Sequence, residues 1–443
     1  MPMSEPVLTA RIPTPPFGET ADRHIVSIEE SLRTGGYEGL AKALEQEPGD
    51  LVAMIKDAQL RGRGGAGFPC GLKWSFLPAQ DDSGRRYMAI NCDEAEPGTF
   101  KDRLLIDFDP HLVLEGIAIA CYACQLDTAW FFIRSEYHHQ TRVVEQAIKE
   151  AYETGIFGSK GLLSGKSTFA VECYLHRSAG AYICGEETAL LEAIEGKRGW
   201  PRVKPPFPAV SGLFGRPTII NNVETLAALP SIVLNGVDWF QSMGVAGSFG
   251  TKLMGVSGHV NRPGVYEVDL GIPLRRLVDE YCGGMRGGRE FKGAIAGGIS
   301  TGILGPDQFD APMDFNIGAF DVMGLGTACP TIFDADTDMV VVARNIARFF
   351  KNESCGQCTP CREGAQWMYE ILCRIESGDA TSKDLDLLLE LAGSMGGMPG
   401  TTICGLADGN NWAIRTIINK YRSEFEARVK PDRSLVSLSV LTP

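Results

Sequence analysis

Three regularly spaced cysteines constrain the fold of this chain more than any other feature. Cys355, Cys358 and Cys361 are separated by two residues each. A tight loop with this spacing places three thiolates on one small concave face, which matches three corners of an iron–sulfur cubane. A fourth ligand must reach the loop from elsewhere, because Ala365 stands where a ferredoxin-type run would place its fourth cysteine.

The fourth ligand is predicted to be Cys404, which lies in a glycine-containing loop of the same helical region. Cys373 is the competitor, but it lies in mid-helix beside Ile371 and Leu372 and is interpreted as a core residue. A structural zinc site is the alternative, although zinc usually takes two separated cysteine pairs. The chain has thirteen unevenly spaced cysteines, and no export signal is predicted, so the remaining ones are interpreted as buried free thiols.

The hydrophobic patterns predict four regions along the chain. Residues 1–60 are expected to form a loosely packed proline-rich arm followed by helices. Over residues 61–245, short apolar runs alternate with helical periods, which predicts an α/β domain with a largely parallel sheet. Residues 246–335 predict a small α+β region with glycine-rich turns, and residues 336–443 predict an all-α bundle with short loops.

The individual elements follow from the same periodicities. Strands are predicted at 87–91, 130–134, 169–175, 253–256 and 264–268. Helices are predicted at 27–34, 37–60, 112–124, 142–154, 273–281, 340–352, 364–376, 382–392 and 410–429.

Composition and charge limit the partners of this chain. Its 443 residues carry a formal net charge of −13. No nucleic-acid partner is expected, because binding one requires a basic surface that displaces phosphate counterions. No stretch approaches the roughly 20 apolar residues of a membrane helix. The acidic N-terminal residues and the missing apolar segment predict neither a signal peptide nor a transit peptide.

A glycine-rich loop follows the first helical region and is a candidate nucleotide-binding loop. Its members are Gly62, Arg63, Gly64, Gly65, Gly67 and Phe68. Glycines at this density let backbone N–H groups approach a phosphate or a flat ring without interference from Cβ atoms. The usual fingerprint follows a strand, whereas here a helix precedes the loop, so a plain turn is the alternative. Lys73, Trp74 and Phe76 follow closely and offer a cation and aromatic surfaces.

An acidic turn ends the strand predicted at 87–91. Asn91 is followed by Asp93, Glu94 and Glu96. The carboxyl ends of strands are where open α/β sheets bind ligands. Carboxylates repel phosphate, so these side chains are expected to face hydroxyl or amide groups of a ligand, with a solvated acidic turn as the alternative.

Three later segments are also dense in polar and conformationally special residues. They contain Tyr182, Gly185, Glu186 and Glu187; Lys204 and Phe207; and Asn221, Asn222 and Thr225. Their amides, hydroxyls and charges suit a ligand with phosphate and polyol groups. Each segment, considered singly, is equally compatible with a structural turn.

Together, the segments at 61–76, 91–98, 180–190, 204–208, 221–225 and 355–361 resemble the flavoprotein subunit of respiratory complex I, the NADH:quinone oxidoreductase. The resemblance covers nearly the whole chain in the same order. It implies an FMN-binding Rossmann-like α/β domain, a small ubiquitin-like β-grasp domain and a C-terminal helical bundle that carries one [4Fe–4S] cluster.

The resemblance also implies a role for each matching position. FMN would be lined by Gly62, Arg63, Gly64, Lys73, Asn91, Asp93, Glu94, Tyr182, Gly185, Glu186, Asn221, Asn222 and Thr225, with Gly65 and Gly67 in the same loop. The adenine of NADH would stack on Phe68, Phe76 and Phe207, beside Lys204. The nicotinamide half would contact Glu96 and Glu187. The cluster would be held by Cys355, Cys358, Cys361 and Cys404.

The implied activity is hydride transfer from NADH to FMN, followed by single-electron transfer to the cluster and on toward quinone. The implied partners are a thioredoxin-like [2Fe–2S] subunit and a larger iron–sulfur subunit, on the cytoplasmic side of the bacterial inner membrane. Carboxylates near a ribose hydroxyl predict a preference for NADH over NADPH. Two alternatives stay open: the diaphorase subunit of an NAD-linked hydrogenase or formate dehydrogenase, and a non-enzymatic zinc-stapled scaffold.

Overall fold

A computed structural model describes residues 5–12, 24–80, 84–397 and 400–431. The chain divides into two compact units, residues 1–335 and residues 336–443. None of the helices in the described ranges combines the length and apolar character needed to cross a bilayer.

A four-stranded parallel sheet organises the first unit. Its strands are β1 (Tyr87–Cys92), β2 (Thr128–Ile133), β3 (Glu172–Arg177) and β4 (Thr218–Asn222). Their spatial order is β3-β2-β1-β4, and every neighbouring pair is parallel. The chain therefore proceeds outward from β1 to β3 and returns to the other side of β1 with β4. The topological switch point, where such sheets bind ligands, lies between β1 and β4.

Twelve helices lie between Ile28 and Gln241 in the described residues of the first unit. They are α1 (Ile28–Arg33), α2 (Glu38–Ala43), α3 (Pro48–Asp57), α4 (Cys70–Trp74), α5 (Asp102–Phe108), α6 (Pro110–Cys124), α7 (His138–Glu153), α8 (Glu187–Ile194), α9 (Pro208–Ser211), α10 (Val223–Ala227), α11 (Leu229–Asn235) and α12 (Val237–Gln241). Helix α6 is buried along nearly its whole length and forms the centre of the core. It starts where Pro110 takes the first position and the Asp109 side chain accepts a hydrogen bond from the Leu112 amide.

The single helix predicted at 37–60 is wrong, because the segment forms two helices. Helix α2 ends at Ala43, and α3 begins at Pro48. Glu47, which precedes the proline, has the extended conformation that a following proline ring imposes. The sequence also did not predict β4, because its two terminal asparagines disguise the apolar run before them.

The described part of the N-terminal segment is packed, not loose. The backbone amides of Val7, Leu8 and Thr9 donate to the carboxylate of Glu267 at 2.9–3.1 Å. The Leu8 side chain is buried in the core of the unit. These charge-assisted hydrogen bonds to Glu267 hold the proline-containing stretch against the strand that carries this residue. Four of the prolines on which the arm prediction rested, Pro2, Pro13, Pro15 and Pro16, lie outside the described residues.

A second, mixed sheet occupies residues 251–334 of the same unit. Its strands are β7 (Thr251–Gly258), β8 (Gly264–Asp269), β9 (Phe291–Ile295), β10 (Ile303–Leu304) and β11 (Thr331–Asp334), preceded by a small hairpin of β5 (Gly244–Val245) and β6 (Ser248–Phe249). The order is β10-β9-β11-β7-β8, with β11 parallel to β7 and the other pairs antiparallel. A short helix, α13 (Leu274–Arg276), continues as a wider turn to Tyr281 and packs on a separate hydrophobic cluster.

The second unit consists of helices, as predicted. They are α14 (Met339–Glu353), α15 (Thr359–Ser377), α16 (Ser382–Gly396), α17 (Leu406–Lys420) and α18 (Arg422–Glu426). The helix predicted at 410–429 instead begins at Leu406 and breaks at Tyr421. The mixed α/β region with a parallel sheet and the helical C-terminal region confirm the coarse fold prediction, whereas the ubiquitin-like β-grasp assignment stays a prediction.

Candidate functional site

The glycine loop at 61–69 lies against the carboxyl end of β4. The backbone amide of Arg63 donates to Thr225 Oγ1 at 2.8 Å. A Cβ atom on Gly64 would lie 3.0 Å from the Cβ of Asn222, so only glycine allows this approach without a shift of the neighbour. The loop is thereby held at the switch point between β1 and β4.

One edge of the glycine loop is open. Gly65 has a φ of +137°, and no other group lies within 4 Å of the position that a Cβ would take there. Gly67, with a φ of +65°, packs instead on the ring of Phe315, which also lies 4.5 Å beneath the Arg61 guanidinium. The half-buried backbone at Gly65 therefore has open space on its Cβ side for a close ligand approach, while the next turn is fixed by packing.

The side chain of Arg63 is directed into the protein. It is 2% exposed and donates to the carbonyl oxygens of Arg61, Phe249 and Thr251 at 2.9–3.2 Å. Burial lowers its pKa to about 10, against the attraction of Glu224. Arg63 can contribute to a ligand site through its backbone, but its guanidinium is committed to joining the glycine loop to the β6–β7 segment.

Asp93 has the properties of a ligand-binding carboxylate. Its backbone amide donates to Asn91 Oδ1 at 3.1 Å, and Asn91 Nδ2 donates to the carbonyl of Gly185 at 2.8 Å, so the three residues are fixed together. Both carboxylate oxygens of Asp93 are buried and have no hydrogen-bond partner within the described residues. Burial raises the pKa of Asp93 to about 7, although Arg134 lowers it. A buried acceptor without a donor is expected to meet one on a ligand.

Glu94, unlike Asp93, has hydrogen-bond donors within the described residues for both of its carboxylate oxygens. Its Oε1 accepts from the amide of Asp102 at 2.8 Å, and its Oε2 accepts from the amide of Arg103 at 3.1 Å and the hydroxyl of Tyr137 at 2.7 Å. Burial and the charge of Asp102 raise the pKa of Glu94 to about 6, while Lys101 and these donors lower it. The carboxylate of Glu94 thus caps the start of α5 and orients the acidic turn from behind.

Both asparagines at the end of β4 are also engaged inside the protein. Asn221 Oδ1 accepts from Trp74 Nε1 at 3.0 Å. Asn222 Oδ1 accepts from the amide of Glu224 at 3.0 Å, and its Nδ2 donates to Asp102 Oδ2 at 2.7 Å. These side-chain amides fix the end of β4 and the start of α10. They would therefore affect ligand binding indirectly, by holding the backbone there in place.

A network of buried charges lies behind these asparagines. Glu224 Oε2 is 2.8 Å from Lys101 Nζ and 2.6 Å from Lys252 Nζ, and Lys101 is also 2.6 Å from Asp102 Oδ1. Glu224 and Lys101 are fully buried, and Lys252 nearly so. Burial alone would raise the pKa of Glu224, but the two lysines lower it to about 2. Since Lys252 lies on β7 and Glu224 lies on α10, this network connects the second sheet to the helix that follows β4.

Glu96 is held by hydroxyl and amide donors. Tyr182 donates to its Oε2 at 2.6 Å, and Ser300 donates to its Oε1 through the backbone amide at 2.8 Å and to Oε2 through Oγ at 3.0 Å. Burial raises the pKa of Glu96, and these donors oppose that rise.

Glu187 is held by cations instead. Its two oxygens lie 3.2 Å from Lys73 Nζ and 2.8 Å from Lys204 Nζ. Burial opposes the charged form, but the two lysines outweigh it and the pKa of Glu187 is lowered. Lys204 also contacts Glu186, whose other oxygen accepts from the first amides of α8 and caps that helix.

The three phenylalanine rings predicted to stack on the adenine are exposed. Phe68, Phe76 and Phe207 are 45%, 49% and 57% exposed. The centroids of Phe68 and Phe76 are 6.1 Å apart, with their planes tilted by 50°. Large apolar rings that stay exposed are typical of surfaces on which an aromatic ligand stacks.

The predicted cluster ligands occupy the start of α15 and the loop before α17. Gly356, with a φ of +79°, turns the chain between Cys355 and Cys358, and Cys361 lies in the first turn of α15. Burial raises the pKa of the Cys361 thiol, and the charges of Cys355 and Cys358 raise it further, because the three thiols are neighbours. The amide of Ile403 donates to Cys358 Sγ at 3.4 Å, which brings the loop that carries Cys404 against them.

Cys373 does not share this location. It follows Cys361 by twelve residues on α15, a distance of about 18 Å at the rise of an α-helix. The sequence predicted a core position for Cys373, and this is wrong, because its side chain is half-exposed. In the described part of the chain, no three His, Cys, Asp or Glu side chains are arranged around a single metal ion. Three thiols of one tight loop, with the loop of Cys404 held against them by the Ile403 contact, are the donors that a cubane takes, so the donor set fits a cluster.

Comparison with known proteins identifies the family. The model of the Nuo51 FMN-binding domain matches residues 55–231, and that of the NADH-ubiquinone oxidoreductase-F iron-sulfur binding region matches residues 341–428. An SLBB domain model matches residues 253–303. An F-type subunit of NADH-quinone oxidoreductase from Rhizobium meliloti (strain 1021) is 46% identical over 433 residues, which are 97% of this chain and 99% of the relative. This chain belongs to the family of F-type NADH-quinone oxidoreductase subunits.

Further relatives agree with this family assignment. The F-type NADH-quinone oxidoreductase subunit of Mycobacterium tuberculosis (strain ATCC 25618 / H37Rv) is 47% identical over 92% of this chain and 90% of its own length. A crystal structure of an NAD+-reducing [NiFe]-hydrogenase in the air-oxidized state has a TM-score of 0.79 and 34% identity, and covers 94% of this chain and 69% of that one. The chain is a subunit of the NADH dehydrogenase type, with an FMN-binding domain and a [4Fe–4S] region. This result removes the zinc-stapled scaffold as an alternative.

Sequence reasoning missed several residues that shape the site. Ser300 reaches Glu96 from the second sheet, and Lys101 and Lys252 form the charged network below β4. A signal for the first existed, since Gly297 and Gly298 before Ser300 mark a tight turn after an apolar run. The two lysines carried no such signal, because a buried lysine resembles a surface lysine in sequence.

Proposed function

We propose that this chain oxidises NADH at the switch point of its parallel sheet, with FMN held between the glycine loop and the acidic turn. The supporting observation is the pair of unpartnered, buried carboxylate oxygens of Asp93 at the carboxyl end of β1. They lie at the sheet edge where the open backbone of Gly65 also offers space and amide donors. When bound, FMN accepts a hydride from NADH and passes the electrons singly to a [4Fe–4S] cluster.

The chain's own residues bind and orient the two ligands. We assign FMN binding to the glycine loop, Lys73, Asn91 and Asp93. Glu94, Asn221 and Asn222 would support these residues through hydrogen bonds inside the protein. The remaining residues proposed to line the FMN are Tyr182, Gly185, Glu186 and Thr225. Phe68, Phe76 and Phe207 would hold the adenine by stacking, next to Lys204. Glu96 and Glu187 would contact the nicotinamide half. Bound NADH and FMN would react directly with each other, so the chain's residues would supply proximity and electrostatics and no nucleophile.

The cluster ligands are proposed to be Cys355, Cys358, Cys361 and Cys404. The contact between the Ile403 amide and Cys358 Sγ supports this set, since amide donors to sulfur accompany iron–sulfur sites. We further propose that residues 246–335 form a ubiquitin-like β-grasp domain, which the mixed sheet with its packed helix supports.

The partners and the location are proposals of the same kind. Electrons that leave the cluster singly need an acceptor, and the names of the relatives give quinone as the final one. We propose a thioredoxin-like [2Fe–2S] subunit and a larger iron–sulfur subunit as neighbours, on the cytoplasmic side of the bacterial inner membrane.

The test is an anaerobic NADH titration of the purified complex, followed by absorbance, with iron and sulfide analysis. Bleaching of a flavin band together with the broad iron–sulfur absorbance is the expected result. A folded protein whose spectrum contains no flavin and does not respond to NADH would refute the proposal.

A second candidate is the diaphorase subunit of an NAD-linked hydrogenase. The structural likeness to the NAD+-reducing hydrogenase favours it. Hydrogen-dependent reduction of NAD+ by the purified complex, without NADH:quinone activity, would select this candidate.

A further inference from the structure

A serine from the second sheet region contacts the carboxylate that we assign to the nicotinamide half of NADH. Ser300 donates two hydrogen bonds to Glu96, at 2.8 Å from its amide and at 3.0 Å from its hydroxyl. The Tyr182 hydroxyl donates to the same carboxylate at 2.6 Å and lies 3.3 Å from the Ser300 hydroxyl. Three donors from two distant parts of the chain therefore fix one carboxylate.

The turn that carries Ser300 is built for this approach. A Cβ on Gly298 would lie 2.5 Å from Cγ of Glu96, and Gly298 has a φ of +98°, so no other residue fits there without displacing Glu96. Thr301 closes the turn, since its hydroxyl donates to the Gly298 carbonyl at 2.9 Å and accepts from the Gly297 amide at 3.1 Å. The position of Ser300 is thus set by backbone geometry and not by a flexible side chain.

Glu96 depends on these neutral donors for its charge. Within the described residues, no charged side chain forms an ion pair with it, whereas two lysines hold Glu187. In the part of the chain that the structure describes, the titratable group that faces Glu96 is Tyr182; burial raises the pKa of Glu96, and the hydrogen bonds from Tyr182 and Ser300 lower it. Loss of a donor to the charged form raises the pKa of a carboxyl group.

We propose that Ser300 is a positioning residue for NADH oxidation, which holds the Glu96 carboxylate in one orientation and in its charged form beside the nicotinamide site. The inference rests on the proposed role of Glu96. It makes the second sheet region a contributor to the reaction site, in addition to the flavin region at 55–231.

The experiment measures NADH:ferricyanide activity of the assembled complex in membranes, as kcat/KM for NADH from about pH 5 to about pH 9. In Ser300→Ala, the acidic limb of the profile is expected to move up by about one pH unit, because the charged form of Glu96 loses a donor. Ser300→Thr retains a hydroxyl and is expected to return the limb toward that of the wild type. Ser257→Ala is the matched control, since that hydroxyl contacts Thr331 and not Glu96.

Flavin content is measured for each variant. An acidic limb that stays in place in a flavin-loaded Ser300→Ala complex would overturn the inference. If that variant loses its flavin, Ser300→Cys, which has a similar volume and a weaker donor, decides in the same way: a raised limb supports the inference and an unchanged limb overturns it. A wild-type complex without any NADH:ferricyanide activity would instead refute the proposed function.

Discussion

Replacing Asp93 by asparagine is expected to stabilise the cofactor-free protein at alkaline pH and to weaken FMN binding. Burial raises the pKa of Asp93 from 3.8 to about 7, against the attraction of Arg134. A carboxyl group whose pKa is raised by folding stabilises the native state while it is protonated, and that stability is lost as the pH rises from about 4 to about 7. The difference of about three pH units corresponds to at most about 4 kcal/mol above pH 8, since one unit is worth about 1.4 kcal/mol.

The assay is denaturant unfolding of the cofactor-free wild type and Asp93→Asn at about pH 5 and about pH 8.5. The variant is expected to gain about 2–3 kcal/mol more at the higher pH, because only the wild type carries the buried charge there. Asp307→Asn, at an exposed position, is the control and should show no such difference. FMN affinity of Asp93→Asn is expected to fall by about 10- to 100-fold, the value of a hydrogen bond to a charged group.

Two results would refute this reasoning. A stability difference that is equal at both pH values would show that burial does not perturb Asp93. An unchanged FMN affinity would show that the unpartnered oxygens of Asp93 are not directed at the flavin.

The remaining predictions concern the cluster, the dinucleotide and the buried charges. Cys404→Ser is expected to remove most iron and sulfide, measured chemically, and Cys373→Ser to leave both; equal loss would contradict the ligand assignment. Glu187→Gln is expected to lower kcat/KM for NADH by about 10-fold or more, because the charged acceptor proposed for the nicotinamide half is lost, and an unchanged value would count against its placement. Glu224→Gln removes the carboxylate partner of the buried Lys252, while Lys101 keeps Asp102, and is expected to lower the free energy of unfolding by about 3–5 kcal/mol, against under about 1 kcal/mol for the exposed Glu153→Gln. Denaturant unfolding compares the two, and equal losses would show that the buried network is not important for stability.

The fold was predictable where the sequence pattern is periodic and local. The parallel sheet followed from apolar runs that alternate with helices, and the buried helix α6 followed from its length and composition. The two errors at α2–α3 and at α17–α18 are both helix breaks, and only the first has a proline as its local cause. Strand β4 was missed because tertiary pairing with β1 determines it more than its own composition does.

The orientation of the polar residues at the site could not be predicted. In sequence, Asp93 and Glu94 are adjacent acids after the same strand, and alternation along the chain places them on opposite sides. Which side contains a donor depends on Tyr137 and on the first amides of α5, which come from later parts of the chain. The sequence therefore indicates where a site lies, whereas the partners of each side chain decide whether it faces a ligand.

The three carboxylates that remain near the opening are stabilised in three different ways, and this predicts how the site responds to acid. Lysines hold Glu187, hydroxyl and amide donors hold Glu96, and neither oxygen of Asp93 has a hydrogen-bond partner in the described residues. The pKa of Glu187 is lowered, while the pKa values of Glu96 and Asp93 are raised. As the pH falls, Asp93 and Glu96 are protonated before Glu187. If bound FMN supplies donors to Asp93, as proposed, it lowers the pKa of that carboxyl group, so the acidic limb of NADH oxidation in the flavin-loaded protein should report the protonation of Glu96.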